Sequence, residues 1–153
     1  MSTKKPTAQP DGKHTDCAIC KGIPDYKFVE TLHTSERLPE EVDQLEVIGG
    51  YGLYGCEQVR KCPLCGTFYS FLHDHDSESG MGYGYTDEAI KRLTPEQAVD
   101  MIERTMKTSK SGIEYWSKKG DPGGERPDFL KMHQEEVKRL KREIRALRKQ
   151  FDL

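Results

Sequence analysis

Long apolar runs are missing from this 153-residue chain. No stretch approaches the ~20 consecutive apolar residues that a bilayer-crossing helix needs. The opening residues, MSTKKPTAQPDGKHTD, lack the apolar segment of a secretory leader, so the expected location is cytoplasmic, with reduced thiols. Apolar residues are also scarce as a class, at 34% hydrophobic against 33% charged, with a mean hydropathy of −0.82. A core that is small for the length is therefore expected, and a small core calls for a staple such as a metal or disulfides. An even cysteine count is absent: the five are Cys17, Cys20, Cys56, Cys62 and Cys65. That argues against a complete disulfide framework. Strong net charge is absent too, at −2 overall, so the chain as a whole is no polyanion binder. A nucleophile motif, a phosphate loop, H-E-x-x-H and G-x-G-x-x-G are all missing, and nothing announces an enzyme.

What is present is two C-x-x-C pairs, Cys17–Cys20 and Cys62–Cys65. A two-residue gap lets both sulfurs of one turn reach a single ion, and a second pair completes a tetrahedron. Pro63 pre-sets the second turn. Gly66 allows the positive φ that aims backbone N–H groups at a ligand sulfur, and Gly22 is expected to do the same for the first pair. Cys56 stands apart, with packing as its expected role and a spare ligand or reactive thiol as the alternatives.

CPLCG beside a distant CAIC resembles a zinc ribbon, a pair of knuckles at the ends of β-hairpins that clamp zinc. The resemblance covers residues 15–73. It implies one structural Zn²⁺ per chain on Cys17, Cys20, Cys62 and Cys65. A rubredoxin-like iron site uses similar knuckles, so Fe is the alternative ion. A closed four-thiolate site leaves no position for water and holds the fold rather than reacting. The 41 residues between the knuckles, 21–61, are long for a compact ribbon and imply an insertion around 35–50.

The expected fold class is small α+β: zinc-ribbon β-hairpins with an insertion, followed by two helices. Residues 1–14 read as a disordered tail. Residues 15–110 read as the ribbon domain. Tyr26, Phe28 and Val29 suggest a short strand. Pro39, Val42 and Leu45 suggest a short helix or irregular segment. YGLYGCEQVRK and TFYSFLH read as strands into and out of the second knuckle, with Thr67, Tyr69 and Phe71 alternating against Phe68, Ser70 and Leu72. Thr94, Pro95 and Gln97 start a helix over 94–108. Residues 111–127 read as a linker.

Residues 128–153 form the last helix, and this segment alone is basic, with eight Lys/Arg against five Asp/Glu. Leu130, Val137, Leu140, Ile144, Leu147 and Phe151 make a coiled-coil-like stripe. It can dock on its own domain, form a homodimer through 130–151, or leave a basic helix for nucleic acid.

Two further features lie between the second knuckle and the first helix. His73, Asp74, His75, Asp76 and Glu78 are either a solvated loop or a second metal or acid–base patch. Gly80–Tyr85 is a compact turn or a ligand loop. The functional expectation is a non-enzymatic zinc module that binds another macromolecule, first of all a protein. The alternatives are a nucleic-acid-binding ribbon, an iron electron carrier, and a metalloenzyme using His73 and His75.

Overall fold

The computed structural model of the chain describes residues 13–30, 34–49, 56–76, 85–119 and 129–153. It is mixed α+β, with a five-stranded antiparallel sheet followed by two long helices. Contacts divide the chain into two units, 1–98 and 99–153.

The first unit is built on strands β1 (Tyr26–Glu30), β2 (Glu46–Gly49), β3 (Cys56–Lys61), β4 (Phe68–Asp76) and β5 (Tyr85–Leu93), in the spatial order β1-β5-β4-β3-β2. The aromatic run Phe68, Tyr69 and Phe71 makes β4 the natural centre, since alternate large side chains fill both faces of a pleated strand. Tyr69 lies opposite Arg60 of β3 and Arg92 of β5, and Phe71 lies opposite Gln58 and Ile90. A short helix, α1 (Lys13–Asp16), precedes the first cysteine pair. The predicted tail at 1–14 falls outside the described residues up to residue 12, and its last two residues begin this helix.

The predicted insertion is part of the fold. Residues Glu40–Gln44 form a 3₁₀ turn after Pro39, and β2 follows directly and pairs with β3 across a register shift between Val47 and Gly49. Val42 and Leu45 are both buried. The Arg60 guanidinium donates to the Val42 carbonyl at 2.9 Å and lies 3.8 Å over the Phe71 ring. It thereby ties the turn to the sheet through a charge-assisted bond and a cation–π contact.

Helix α2 (Pro95–Lys119) starts where the sequence predicts. The Gln97 N–H donates to Thr94 Oγ1 at 3.2 Å and the Thr94 N–H donates to Gln97 Oε1 at 2.9 Å, which closes a capping box. It then runs eleven residues past the expected end at 108, so 111–119 are helix and not linker. The unit boundary lies inside it, at Ala98/Val99, rather than near 110.

In the second unit α2 from Val99 lies antiparallel to α3 (Phe129–Phe151). Trp116 stacks on Phe129 with ring centroids 5.1 Å apart, and Glu103 pairs with Arg148 at the opposite end. Between them Gly112 passes His133 so closely that an added Cβ would lie 2.6 Å from its Nε2. Of the predicted stripe, Val137, Leu140, Ile144 and Leu147 are buried within a single chain. Leu130 and Phe151 are half-buried.

Candidate metal centre

The two C-x-x-C pairs sit in different local structures. The second occupies the turn of the β3–β4 hairpin, closed by the Cys62 N–H to Thr67 carbonyl bond at 2.8 Å and the Gly66 N–H to Cys62 carbonyl bond at 3.0 Å. Gly66 has a φ of +80°, as the turn demands. The first pair leads into a 3₁₀ turn, Cys20–Gly22, ahead of β1. Only the second knuckle therefore ends a hairpin, unlike the paired hairpins of a ribbon. Gly22 has no positive φ; an added Cβ there would lie 2.5 Å from Glu41 Oε1, the end of a flexible side chain.

The four sulfurs converge. Cys17 Sγ lies 3.6 Å from Cys62 Sγ, Cys20 Sγ lies 3.4 Å from Cys65 Sγ, and all four fall within 4.8 Å of one another. All four are free thiols. A tetrahedron of thiolates at ~2.3 Å from zinc has sulfur–sulfur edges of about 3.8 Å, so the donor set fits a thiophilic ion in both chemistry and spacing. It is the single group of His, Cys, Asp and Glu side chains among the described residues placed to hold a metal.

The surroundings act on the sulfurs unequally. Burial pushes the Cys17 thiol up. The N–H groups of Cys20 and Ile19, with Cys62 and Cys65 alongside, outweigh this and bring it down to about 7. The N–H groups of Cys65 and Leu64 face Cys62 in the same way, but there burial wins and its pKa is raised. Burial also holds Cys20 far above the usual thiol value, partly opposed by the Tyr69 hydroxyl. Arg92, which pairs with Asp25, is close enough to Cys20 for their charges to interact.

Two hydroxyls complete the lining. Thr67 Oγ1 lies 3.1 Å from Cys65 Sγ, and Thr67 is buried. Tyr69 is 1% exposed, and its hydroxyl has no well-formed hydrogen bond. It turns toward the Cys20 sulfur, near enough for burial and that sulfur together to raise its own pKa. Ile19, Ile23, Val42, Leu45, Phe71 and Ile90 close the apolar shell. Thr67 and Tyr69 were not singled out as site residues in the sequence. The signal was the period-2 alternation of TFYSFLH, which puts both on the side that carries the sulfurs.

Residues 73–76 of the histidine–acid patch are strand rather than loop, since β4 continues to Asp76. His73 pairs across strands with Cys56 and Glu88, its Nδ1 lies 3.9 Å from Glu88 Oε2, and its ring stacks on Phe71. His75 pairs in register with Thr86. The side chains of Cys56, His75 and Asp76, residue Glu78, and Gly80–Gly84 lie outside the described residues, while Tyr85 begins β5. The structure thus brings Cys17, Cys20, Cys62 and Cys65 into one largely buried, donor-lined centre. No known protein family, curated protein or solved structure matches this chain.

Proposed function

We propose that the chain is a non-enzymatic zinc-binding module. One structural Zn²⁺ on Cys17, Cys20, Cys62 and Cys65 fixes a small sheet that binds another macromolecule, first of all a protein. The observation that carries this reading is the convergence of four thiols from two distant turns into one set within 4.8 Å. Four thiolates saturate a tetrahedral ion and leave no position for water, which is the mark of a structural site. Protein contact is supported by Tyr26, Phe28 and Leu64, which are 62%, 47% and 65% exposed. Tyr26 and Phe28 lie on an edge strand, where backbone groups are open to pairing.

Elemental analysis of the purified chain tests the metal. One zinc per chain, lost in Cys17→Ser and Cys62→Ser but kept in Cys56→Ser, is the expected result. One iron in a coloured protein replaces the reading with an electron carrier. Two metals per chain bring back a metalloenzyme using His73 and His75.

A further inference from the structure

The outward face of α3 carries an arrangement that helix stability alone disfavours. Lys138, Lys141, Arg142, Arg145 and Lys149 are all exposed, while Val137, Leu140, Ile144 and Leu147 are buried on the other side. At 3.6 residues per turn the five cations fall within about 100° of arc, facing away from the buried stripe. Lys138 is three and four residues from Lys141 and Arg142. Arg145 is four and three from the same two, and four from Lys149. Each such pair is a like-charge neighbour on the helix surface and costs stability.

None of the five has an acidic partner among the described residues. The acids on this helix that do pair serve others, as Glu136 does Arg139 at 2.6 Å. The outer face of α2 is different, for there Lys118 is balanced by Glu114 at 3.2 Å.

We propose that this face of α3 is a docking surface for the phosphodiester backbone of a nucleic-acid duplex. The stripe from Lys138 to Lys149 spans about 17 Å at 1.5 Å per residue. It therefore presents one positive charge per ~3–4 Å, close to the ~3.4 Å per phosphate of one strand of a duplex. A polyanion removes the repulsion that the free helix carries, and the released counterions drive the association.

Charge is divided between the units in the same sense. Residues 99–153 hold fourteen Lys/Arg against ten Asp/Glu, and residues 1–98 hold ten against sixteen. The near-neutral total conceals a cationic unit. The five cations have no aromatic among them to stack on unpaired bases, which favours a duplex over a single strand. They also have no large apolar side chain among them to enter a bilayer, which disfavours an anionic membrane. This surface is independent of the metal centre, and its failure would leave the zinc reading intact.

The test is fluorescence anisotropy of a labelled 20-base-pair duplex of mixed sequence, titrated with the full metal-loaded chain between 50 and 200 mM salt. With five phosphates neutralised, affinity should fall about 10²–10³-fold over that range, a log–log slope of roughly −4 to −5. The double variant Lys141→Gln/Arg145→Gln should reduce that slope by about two, with unchanged metal content and an equal or higher melting temperature. The proposal is overturned by an absence of binding at 50 mM salt, or by a slope that the double variant leaves unchanged. Tighter binding to a single strand of the same length, to phosphatidylserine vesicles or to polyglutamate would also overturn the duplex assignment.

Discussion

Tyr69 brings a hydroxyl into a space otherwise lined by sulfur and hydrocarbon. Such a group is costly to bury unless it donates to something, and the Cys20 sulfur is what it faces. Donors behind metal ligands orient them and temper their charge, and their loss typically weakens binding 10–100-fold. Tyr69→Phe keeps the ring and removes only the donor. It should weaken zinc about 10-fold in competition with a chelator, and shift the sulfur-to-metal charge-transfer band of the cobalt-substituted protein, while leaving the sheet folded. An unshifted band and unchanged affinity would reduce Tyr69 to a packing residue.

The two glycines beside the knuckles separate in the same way. Gly66→Ala forces a side chain to φ +80° and should cost about 1–2 kcal/mol in a melt, although the nearest side-chain atom is 3.8 Å from the added carbon. Gly22→Ala meets only the tip of Glu41, which can swing aside, and should cost less than Gly66→Ala. The second glycine was legible because C-P-L-C-G specifies a hairpin turn. The first misled because nothing in CAICKG announces that a 3₁₀ turn, with ordinary negative φ, follows it.

Ionisation adds a further expectation at this scale. Cys20 and Cys62 have folded pKa values raised above the ordinary 9.0. Such groups stabilise the metal-free fold fully below the unfolded value and lose that contribution as pH rises through the folded one. Cys17, brought down to about 7, acts in reverse, and its contribution is lost as pH falls from about 9 through about 7. Melts with chelator present should therefore show stability declining above about pH 9. The metal-loaded protein, with all four groups already thiolates, should not decline there and should fail in acid instead.

At the scale of elements, what could be read followed local chemistry, and what could not depended on partners distant in sequence. Strand β4 and the start of α2 were visible in alternating aromatics and a capping box. Strand β5, YTDEAIKRL, was invisible: four of its nine residues are charged, and among its described side chains only Ile90 and Leu93 are fully buried. Its pairing on both sides, with β1 and β4, makes it a strand. Helix α2 outran its predicted end at 108 through Ser109, Ser111 and Gly112, residues of modest or poor helix propensity. Yet Ser109 is buried and Gly112 is the point where His133 passes, so packing overrides propensity.

Thr94→Ala removes one half of the capping box and should cost about 1 kcal/mol, read as a lowered melting temperature. Arg145→Glu turns several like-charge neighbours on α3 into attractive ones. At roughly 0.2–0.5 kcal/mol per pair it should raise stability by about 1 kcal/mol, an unusual outcome for a charge reversal. A lowered melting temperature would show that the stripe is not under internal repulsion.

Across the whole molecule, a metal on the four sulfurs would act as a cross-link between the segment before β1 and the β3–β4 turn. Cys17 and Cys62 are 45 residues apart, and closing a loop of that size restricts the unfolded chain by about 4 kcal/mol in the chain-entropy account. β1 is an edge strand held by β5 on one side. Its second attachment is the first knuckle just ahead of it. Chelation should therefore release 13–30 first. Hydrogen exchange should show those amides losing protection while β3, β4 and β5 retain theirs. Simultaneous loss across all five strands would mean that the metal holds the whole sheet rather than its edge.

The pairing of β1 with β5 has a consequence in time as well as space. Tyr26 lies against Lys91 and Glu30 against Asp87. A ribosome that has just released β1 must add some sixty further residues before its partner exists. The first cysteine pair meanwhile waits for the second. Contacts of such long sequence separation form slowly, since the chain must close on itself before it gains anything. The nascent chain therefore spends its synthesis with an unpaired strand carrying Tyr26 and Phe28, and with two thiols that have no ion to share. An early metal, caught by the first pair alone, would hold open the coordination positions that the second pair later fills.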